Sequence, residues 1–272
     1  VSGSGKSTIA ANISHPLWKQ KKKILVISNE ETSHDVLMRI AALELGYNFN
    51  DYKKGLMSQE HQRNCMALFK NPAGEGIMDY VKVLDVSWRD GLTTKIEGVQ
   101  AALEGVIGKG YHAVLIDYYQ LIKDSLKDKT RTRYDVLNDF RVWLGRYIKK
   151  CELPVCLFTQ LYSMGKKGGV KDIDARIKEC SAVVEPATVI IEAVPNFDEK
   201  TTDFIIHKDR FGIAGQRFVC PFEKGRYLKQ LSPEQMTERK HRIQRMKGEK
   251  ELESFMEDEQ LSSADYLAGE KF

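Results

Sequence analysis

Cysteine is scarce in this chain: five among 272 residues, an odd number without a C-x-x-C pair. That usage makes neither a disulfide framework nor a zinc site, and it points to a reducing, cytosol-like compartment. No apolar run approaches the roughly 20 residues that span a bilayer. The opening residues form a glycine–serine turn instead of a basic, apolar leader, so no secretory signal is in view. Membrane and secreted classes are set aside on those grounds. Seven prolines and 20 glycines are too few for a collagen-like or low-complexity protein. A large excess of one charge is lacking as well. The 42 lysines and arginines against 38 acids leave +4, so contact with nucleic acid must come from local basic patches. The six histidines show no metal-ligand spacing.

What the chain does have is 42% hydrophobic residues, enough for one large core. Apolar runs rich in β-branched residues read as buried strands at Lys23–Ser28, Tyr80–Leu84, His112–Asp117, Pro154–Thr159 and Thr188–Glu192. Runs of this kind suit a parallel sheet covered on both faces. Between them, Ser33–Leu45, Ser58–Phe69, Thr93–Ile107 and Tyr134–Cys151 carry apolar residues at helical spacing. The alternation predicts a doubly wound α/β domain. Farther on, Asp203–Lys208 and Gln216–Cys220 flank Phe211–Gly215 and predict a β-hairpin, with a short strand near Tyr227. After Leu231 the composition becomes strongly charged. Residues 1–231 are therefore expected to form the folded domain, and 232–272 a charged tail that is a solvated helix or disordered.

The first residues, Val1-Ser-Gly-Ser-Gly-Lys-Ser7, fit the last seven places of G-x-x-x-x-G-K-[ST]. The spacing has a mechanism. Consecutive backbone N–H groups at Ser2, Gly3, Ser4 and Gly5 wrap a β-phosphate, and the glycines allow an approach that a Cβ would block. Lys6 is expected to reach the β- and γ-phosphates of ATP, Ser7 to ligate Mg²⁺, and Thr8 to continue into the helix whose N-terminus faces the phosphates. Such a loop ordinarily follows a central strand, and none precedes Val1. The expectation is either a piece of a longer chain or a sheet position covered by a neighbouring segment.

Acids come next. His112–Asp117 is an apolar strand ending in a carboxylate, so Asp117 is placed at the carboxyl end of a central strand, facing the phosphate loop and Mg²⁺. Ser28-Asn-Glu-Glu31 puts two acids just past another strand. One of them is suited to orient and deprotonate an attacking water, and spacing alone leaves Glu30 and Glu31 both open. Gln160, directly after a buried strand, is placed to sense a γ-phosphate.

Taken in order, these motifs resemble the RecA-fold motor domain of DnaB-type replicative DNA helicases. The resemblance rests on Lys6-Ser7, Ile27-Ser-Asn-Glu-Glu-Thr32, Ile116-Asp-Tyr-Tyr-Gln-Leu-Ile122, Phe158-Thr-Gln-Leu161 and Ile206-His-Lys-Asp-Arg-Phe-Gly212, and it runs from Val1 to about Leu228. It implies a RecA-like P-loop NTPase with a mostly parallel sheet and a C-terminal β-hairpin. It also implies Glu30 as the catalytic carboxylate, Gln160 as the phosphate sensor, and Lys208 and Arg210 as a pair that reaches the ATP site of the next subunit. For single-stranded DNA it implies two basic loops facing the channel of a homo-oligomeric, hexameric ring. One carries Lys127, Lys129, Arg131 and Arg133; the other carries Lys166 and Lys167 and leads into Lys178, Glu179 and Ser181. Lys178 stands where the family has arginine and Ser181 where it has glycine, which removes a bidentate fork and a close backbone approach. Primase and a helicase loader are implied partners, and the cytoplasm of a bacterial or phage-infected cell is the implied place. A RecA-like oligomeric ATPase of strand-exchange or clock type is the alternative. A small-molecule kinase would need an acceptor-site base and an arginine-bearing lid, neither of which can be assigned.

Overall fold

Ile24 to Ser28 are buried on both faces of the pleat, and they lie within β1 (Lys23–Ser28), an inner strand of a parallel sheet. This computed structural model describes residues 5–70, 74–88, 92–123, 132–161, 176–177, 181–212 and 214–245. The sheet runs β2 (Val81–Leu84), β1, β3 (Tyr111–Asp117), β4 (Val155–Leu157), all parallel. Alternation along the strands divides the core in two. Ile24, Val26, Val81 and Leu115 pack with α1 (Lys6–Lys19), α2 (Ser33–Leu45), α4 (Gln59–Ala67) and the short helices α3 (Phe49–Lys53) and α5 (Ile77–Tyr80). Leu25, Ile27, Leu84, Val114 and Ile116 pack on the other face with α6 (Ile96–Glu104) and α7 (Arg133–Cys151). Each such side chain removed from water stabilises by about 1.5–3 kcal/mol, which is why a run apolar on both faces settles between two helical layers.

Caps set the helix boundaries. The Thr32 hydroxyl accepts from Asp35 N at 3.1 Å at the start of α2, and Gly46, in the left-handed region at φ 72°, ends it. At α7, Thr132 and Asp135 cap each other reciprocally. Among the described residues, no helix is long and apolar enough to cross a membrane.

The run Thr188–Glu192 corrects one expectation. It lies in β5 (Val189–Asn196), outside the parallel sheet. β5 pairs antiparallel with β6 (Thr201–Asp209), which pairs with β7 (Arg217–Glu223) and then β8 (Arg226–Tyr227), forming a second, four-stranded sheet. A short apolar run bounded by turns looks alike in either sheet; the four-residue link to β6, too short for a crossover helix, decides the pairing. The expected hairpin is present as β6–β7, and the short strand near Tyr227 as β8. One residue, His207, is skipped in the β5–β6 register, since Ile190 faces Lys208 while Ile191 faces Ile206. Such a bulge turns the side chains beyond it onto the other face.

The charged C-terminal stretch begins as a helix over residues 233–245, and it is not wholly solvated. Arg239 is buried. Its guanidinium donates to Glu199 Oε2 at 2.6 and 2.8 Å and lies 3.2 Å from Asp203 Oδ1, while Arg242 reaches Glu199 Oε1 at 3.0 Å. These pairs fasten the helix to the antiparallel sheet.

Candidate nucleotide-binding site

Gly5 sits at φ 81°, a left-handed conformation that a side chain resists, and it opens α1. A Cβ there would lie 3.3 Å from the Tyr227 hydroxyl, so the turn into β8 closes on the loop as well. Asn12 ties the two together: its Nδ2 donates to Gly225 O at 2.8 Å, and its Oδ1 accepts from Tyr227 N at 3.1 Å. Ser2, Gly3 and Ser4 lie outside the described residues. Lys6 stands over the Tyr118 ring, 4.7 Å from its centroid.

At the start of α1, the Ser7 hydroxyl donates to Asp117 Oδ2 at 2.6 Å, across 110 residues of sequence. The tertiary fold thus joins the helix N-terminus to the carboxyl end of β3, as the two motifs required. Burial pushes the Asp117 carboxyl up to about 6. The charges of Glu30 and Glu31 push the same way, while the Ser7 hydrogen bond and Lys6 oppose them. Asp117 Oδ1 is buried without a partner among the described residues, and the same holds for both polar atoms of the buried Asn29 side chain. Asn29 N donates to Asp117 O at 2.7 Å, so these orphaned atoms lie at the adjoining ends of β1 and β3. Unsatisfied buried polar atoms cost about 1–3 kcal/mol each. A hydroxyl and a carboxylate with spare acceptor capacity are the oxygen donors that Mg²⁺ takes, so these residues fit that ion. Asn29 was not legible as a site residue; its only signal was a polar side chain at the end of an apolar strand.

The raised Asp117 value carries a pH prediction. A carboxyl ionising at about 6 when folded, against 3.8 ordinarily, is charged and buried at pH 7.5, which weakens the ligand-free fold. That penalty fades as pH falls through 6. Asp117→Asn should therefore raise the melting temperature of the ligand-free chain at pH 7.5, on a scale of about 2–4 °C per kcal/mol. The advantage should shrink by pH 5. Thermal scans of both chains without nucleotide or divalent metal check this, and an advantage that grows towards pH 5 would contradict it.

The two adjacent acids separate cleanly. Glu31 Oε2 accepts from Arg39 Nε at 3.3 Å, and its other oxygen accepts from the Arg39 terminal nitrogen. Arg39 also donates to the Thr8 hydroxyl at 3.3 Å and lies over the Phe49 ring at 4.0 Å. Glu31 is thereby held by α2, whereas Glu30 is exposed and has no side-chain partner among the described residues.

Gln160 is positioned through a residue to which no role had been assigned. Gln120 donates to Thr159 Oγ1 at 2.5 Å and to Gln160 O at 3.2 Å, and its Oε1 accepts from Gln160 N at 3.1 Å. This buried amide sews the segment after β3 to the segment after β4. Its place in the Asp117-Tyr-Tyr-Gln-Leu stretch was the available signal.

The hairpin pair lies elsewhere on the same chain. Lys208 Nζ donates to Val184 O at 2.8 Å and Glu185 O at 3.0 Å, and Arg210 donates to Glu185 O at 3.3 Å. Arg210 is exposed. Of the expected DNA contacts, Arg133 donates to the carbonyls of Gln120 and Ile122, so its guanidinium braces the segment after β3. Lys127, Lys129, Arg131, Lys166, Lys167, Lys178 and Glu179 lie outside the described residues, as does the side chain of Ser181. Among the described residues, no group of His, Cys, Asp and Glu is arranged to hold a metal by itself. On the antiparallel sheet, Phe218 stacks on Phe204 at 5.1 Å and Phe222 packs on Tyr227 at 5.2 Å.

A phosphate loop against a strand-end aspartate, on a parallel sheet followed by an antiparallel one, defines a RecA-like P-loop NTPase. The chain belongs to the family described as DnaB-like helicase C terminal domain, which it matches over residues 1–225. No curated protein sequence matches it. Among solved structures it is similar to an ATPase domain, with TM-score 0.66 and 16% identity over 85% of this chain and 82% of that one. It is similar also to a DnaB-like replicative helicase studied for its interactions with primase, with TM-score 0.64 and 16% identity over 84% of this chain. There it spans 55% of the other chain's length. The RadB recombinase shares the fold at TM-score 0.52 and 12% identity over 83% of this chain and 86% of that one.

Proposed function

We propose that this chain is the motor of a replicative DNA helicase, hydrolysing ATP where two copies meet and moving on single-stranded DNA to unwind duplex. The observation that carries the reading is the Ser7–Asp117 contact beside an unpartnered Glu30 carboxylate among the described residues. The residues divide the work. Lys6 and the loop amides take up the charge of the triphosphate, and Ser7 and Asp117 hold Mg²⁺. When bound, the ion neutralises charge on the β- and γ-phosphates. Glu30 orients a water and accepts its proton as oxygen attacks the γ-phosphorus and the bond to the β-phosphate oxygen breaks. Gln160, held through Gln120, reads the γ-phosphate from the same chain. Lys208 and Arg210 of a neighbouring copy place cationic charge where negative charge develops, the logic of an arginine finger. Around a closed ring, a hexamer in this reading, each copy lends its cradle to one neighbour and its cation to the other. The basic segments following β3 and β4 grip the DNA backbone, with primase and a loader as further partners.

Hydrolysis of magnesium ATP by the full chain, with and without single-stranded DNA, tests the reading together with strand displacement from a forked duplex. DNA-stimulated hydrolysis with displacement is expected, and Lys6→Ala should lose ATP binding. Stimulated hydrolysis without displacement would favour a non-helicase RecA-like ATPase. Full hydrolysis by a monomer indifferent to DNA would overturn the shared-site mechanism.

A further inference from the structure

Three charged or titratable side chains meet on the β5–β6 side of Gln160, and none of the steps above uses them. Glu192, on β5, is buried. Its carboxylate takes both terminal nitrogens of Arg176, at 2.5 and 2.8 Å, and lies 2.7 Å from His207 Nε2. Both partners are mostly shielded, with 13% of the Arg176 and 24% of the His207 side chain exposed. Burial pushes the Glu192 carboxyl up, but the hydrogen bonds and charges of Arg176 and His207 outweigh it and hold the group below the usual carboxylate range. Burying such a charge is costly, so an arrangement of this kind is weak evidence for stability and better evidence for fixing one geometry.

Its position shows which geometry is fixed. Arg176 precedes Ile177, which bridges antiparallel to Leu161, the residue after Gln160. The two ends of the 161–177 segment are thus joined next to the phosphate sensor. His207 is the residue skipped in the β5–β6 register, and the bulge sends Lys208 onto the face that Glu192 occupies, with Arg210 just past the end of the strand. There they hold the Val184 and Glu185 carbonyls, while Arg141 of α7 holds the Glu185 carboxylate at 2.7 Å. One buried carboxylate therefore joins the base of the segment expected to meet DNA to the strand that carries the trans-acting pair.

We infer that Glu192 is a positioning residue that couples polynucleotide binding to hydrolysis, by making the base of the 161–177 segment and the Lys208–Arg210 strand move as one body. This rests on the motor reading above. The coupling acts through geometry, since the buried Glu192 carboxylate is taken up by Arg176 and His207. Removing its charge leaves Arg176 without this ionic partner, so segment and strand shift independently.

The test uses the full chain with magnesium ATP and oligo-dT as the single-stranded probe. Glu192→Gln and Arg176→Lys keep hydrogen-bonding groups in place of a cavity. Each should retain unstimulated hydrolysis and the KM for ATP while the ratio of stimulated to unstimulated kcat falls at least about fivefold, the lower end of ordinary coupling. His207→Gln, which can still donate to Glu192, should keep most of that ratio. Unchanged ratios would overturn the inference, as would a proportionate loss of both rates with a lowered melting temperature. Hydrogen exchange without nucleic acid gives an independent reading. In Glu192→Gln the amides of Leu161, Arg176 and Ile177 and those of 205–210 should speed up together, and acceleration of only one set would overturn the inference. Should the wild-type chain show no stimulation, the motor reading fails, and hydrogen exchange alone decides whether the two segments form one body.

Discussion

Arg210→Ala is expected to leave ATP affinity nearly intact and to cut hydrolysis by about 10³-fold or more, the usual weight of a cation supplied from a neighbour. Arg210 is exposed, and within its own chain it makes a 3.3 Å bond to the Glu185 carbonyl, so removing it leaves no buried charge behind. The fold should therefore survive, and circular dichroism melts should overlay those of the wild type. Mixing separates a shared site from a self-contained one. An Arg210→Ala chain retains Glu30, and a Glu30→Gln chain retains Arg210. In a one-to-one mixture about a quarter of head-to-tail interfaces combine an intact cradle with an intact cation. Hydrolysis should reappear in the mixture although neither parent has it. A mixture as inert as its parents would remove the trans mechanism.

Glu30→Gln should lower kcat by about 10²–10⁴, the usual contribution of a positioned general base, with nucleotide affinity unchanged. Glu31→Gln should behave differently. Glu31 is bound by Arg39, which also holds Thr8 and covers Phe49, so its loss loosens the packing of α2 against α1 and lowers the melting temperature. Chemistry should suffer less than stability. The comparison needs both kcat and the melting temperature for each variant. A greater loss of kcat from Glu31→Gln would transfer the water-activating role to that residue.

These two acids show how far sequence pattern carried. Spacing brought both to the end of a buried strand and could not choose between them; the motif resemblance chose Glu30. The structure supplies an independent physical reason, since Arg39 is eight residues from Glu31 along the chain and claims it. The strands Lys23–Ser28 and His112–Asp117, the latter within the observed Tyr111–Asp117, and the helix Ser33–Leu45 were legible because burial on two faces or on one stripe leaves a period in the sequence. Pairing leaves no such period, which is why Thr188–Glu192 read as part of the parallel sheet. Arg133 read as one of a row of cations in a basic loop; its bonds to the Gln120 and Ile122 carbonyls depend on the path of the backbone before α7. Gln120 was visible as part of a motif, but its grip on Thr159 and Gln160 spans about 40 residues.

By itself the amino-acid order determined the alternation of strands and helices, the phosphate loop at Gly5–Ser7 and the acid at the end of β3, because each is written in local spacing and backbone chemistry. Only the tertiary structure decided that Ser7 meets Asp117, that Glu31 is occupied while Glu30 is open, and that Arg176, Glu192 and His207 converge. Most of those pairings join residues far apart in the chain. They are set by which faces pack and where a bulge turns a strand, and no local pattern records either.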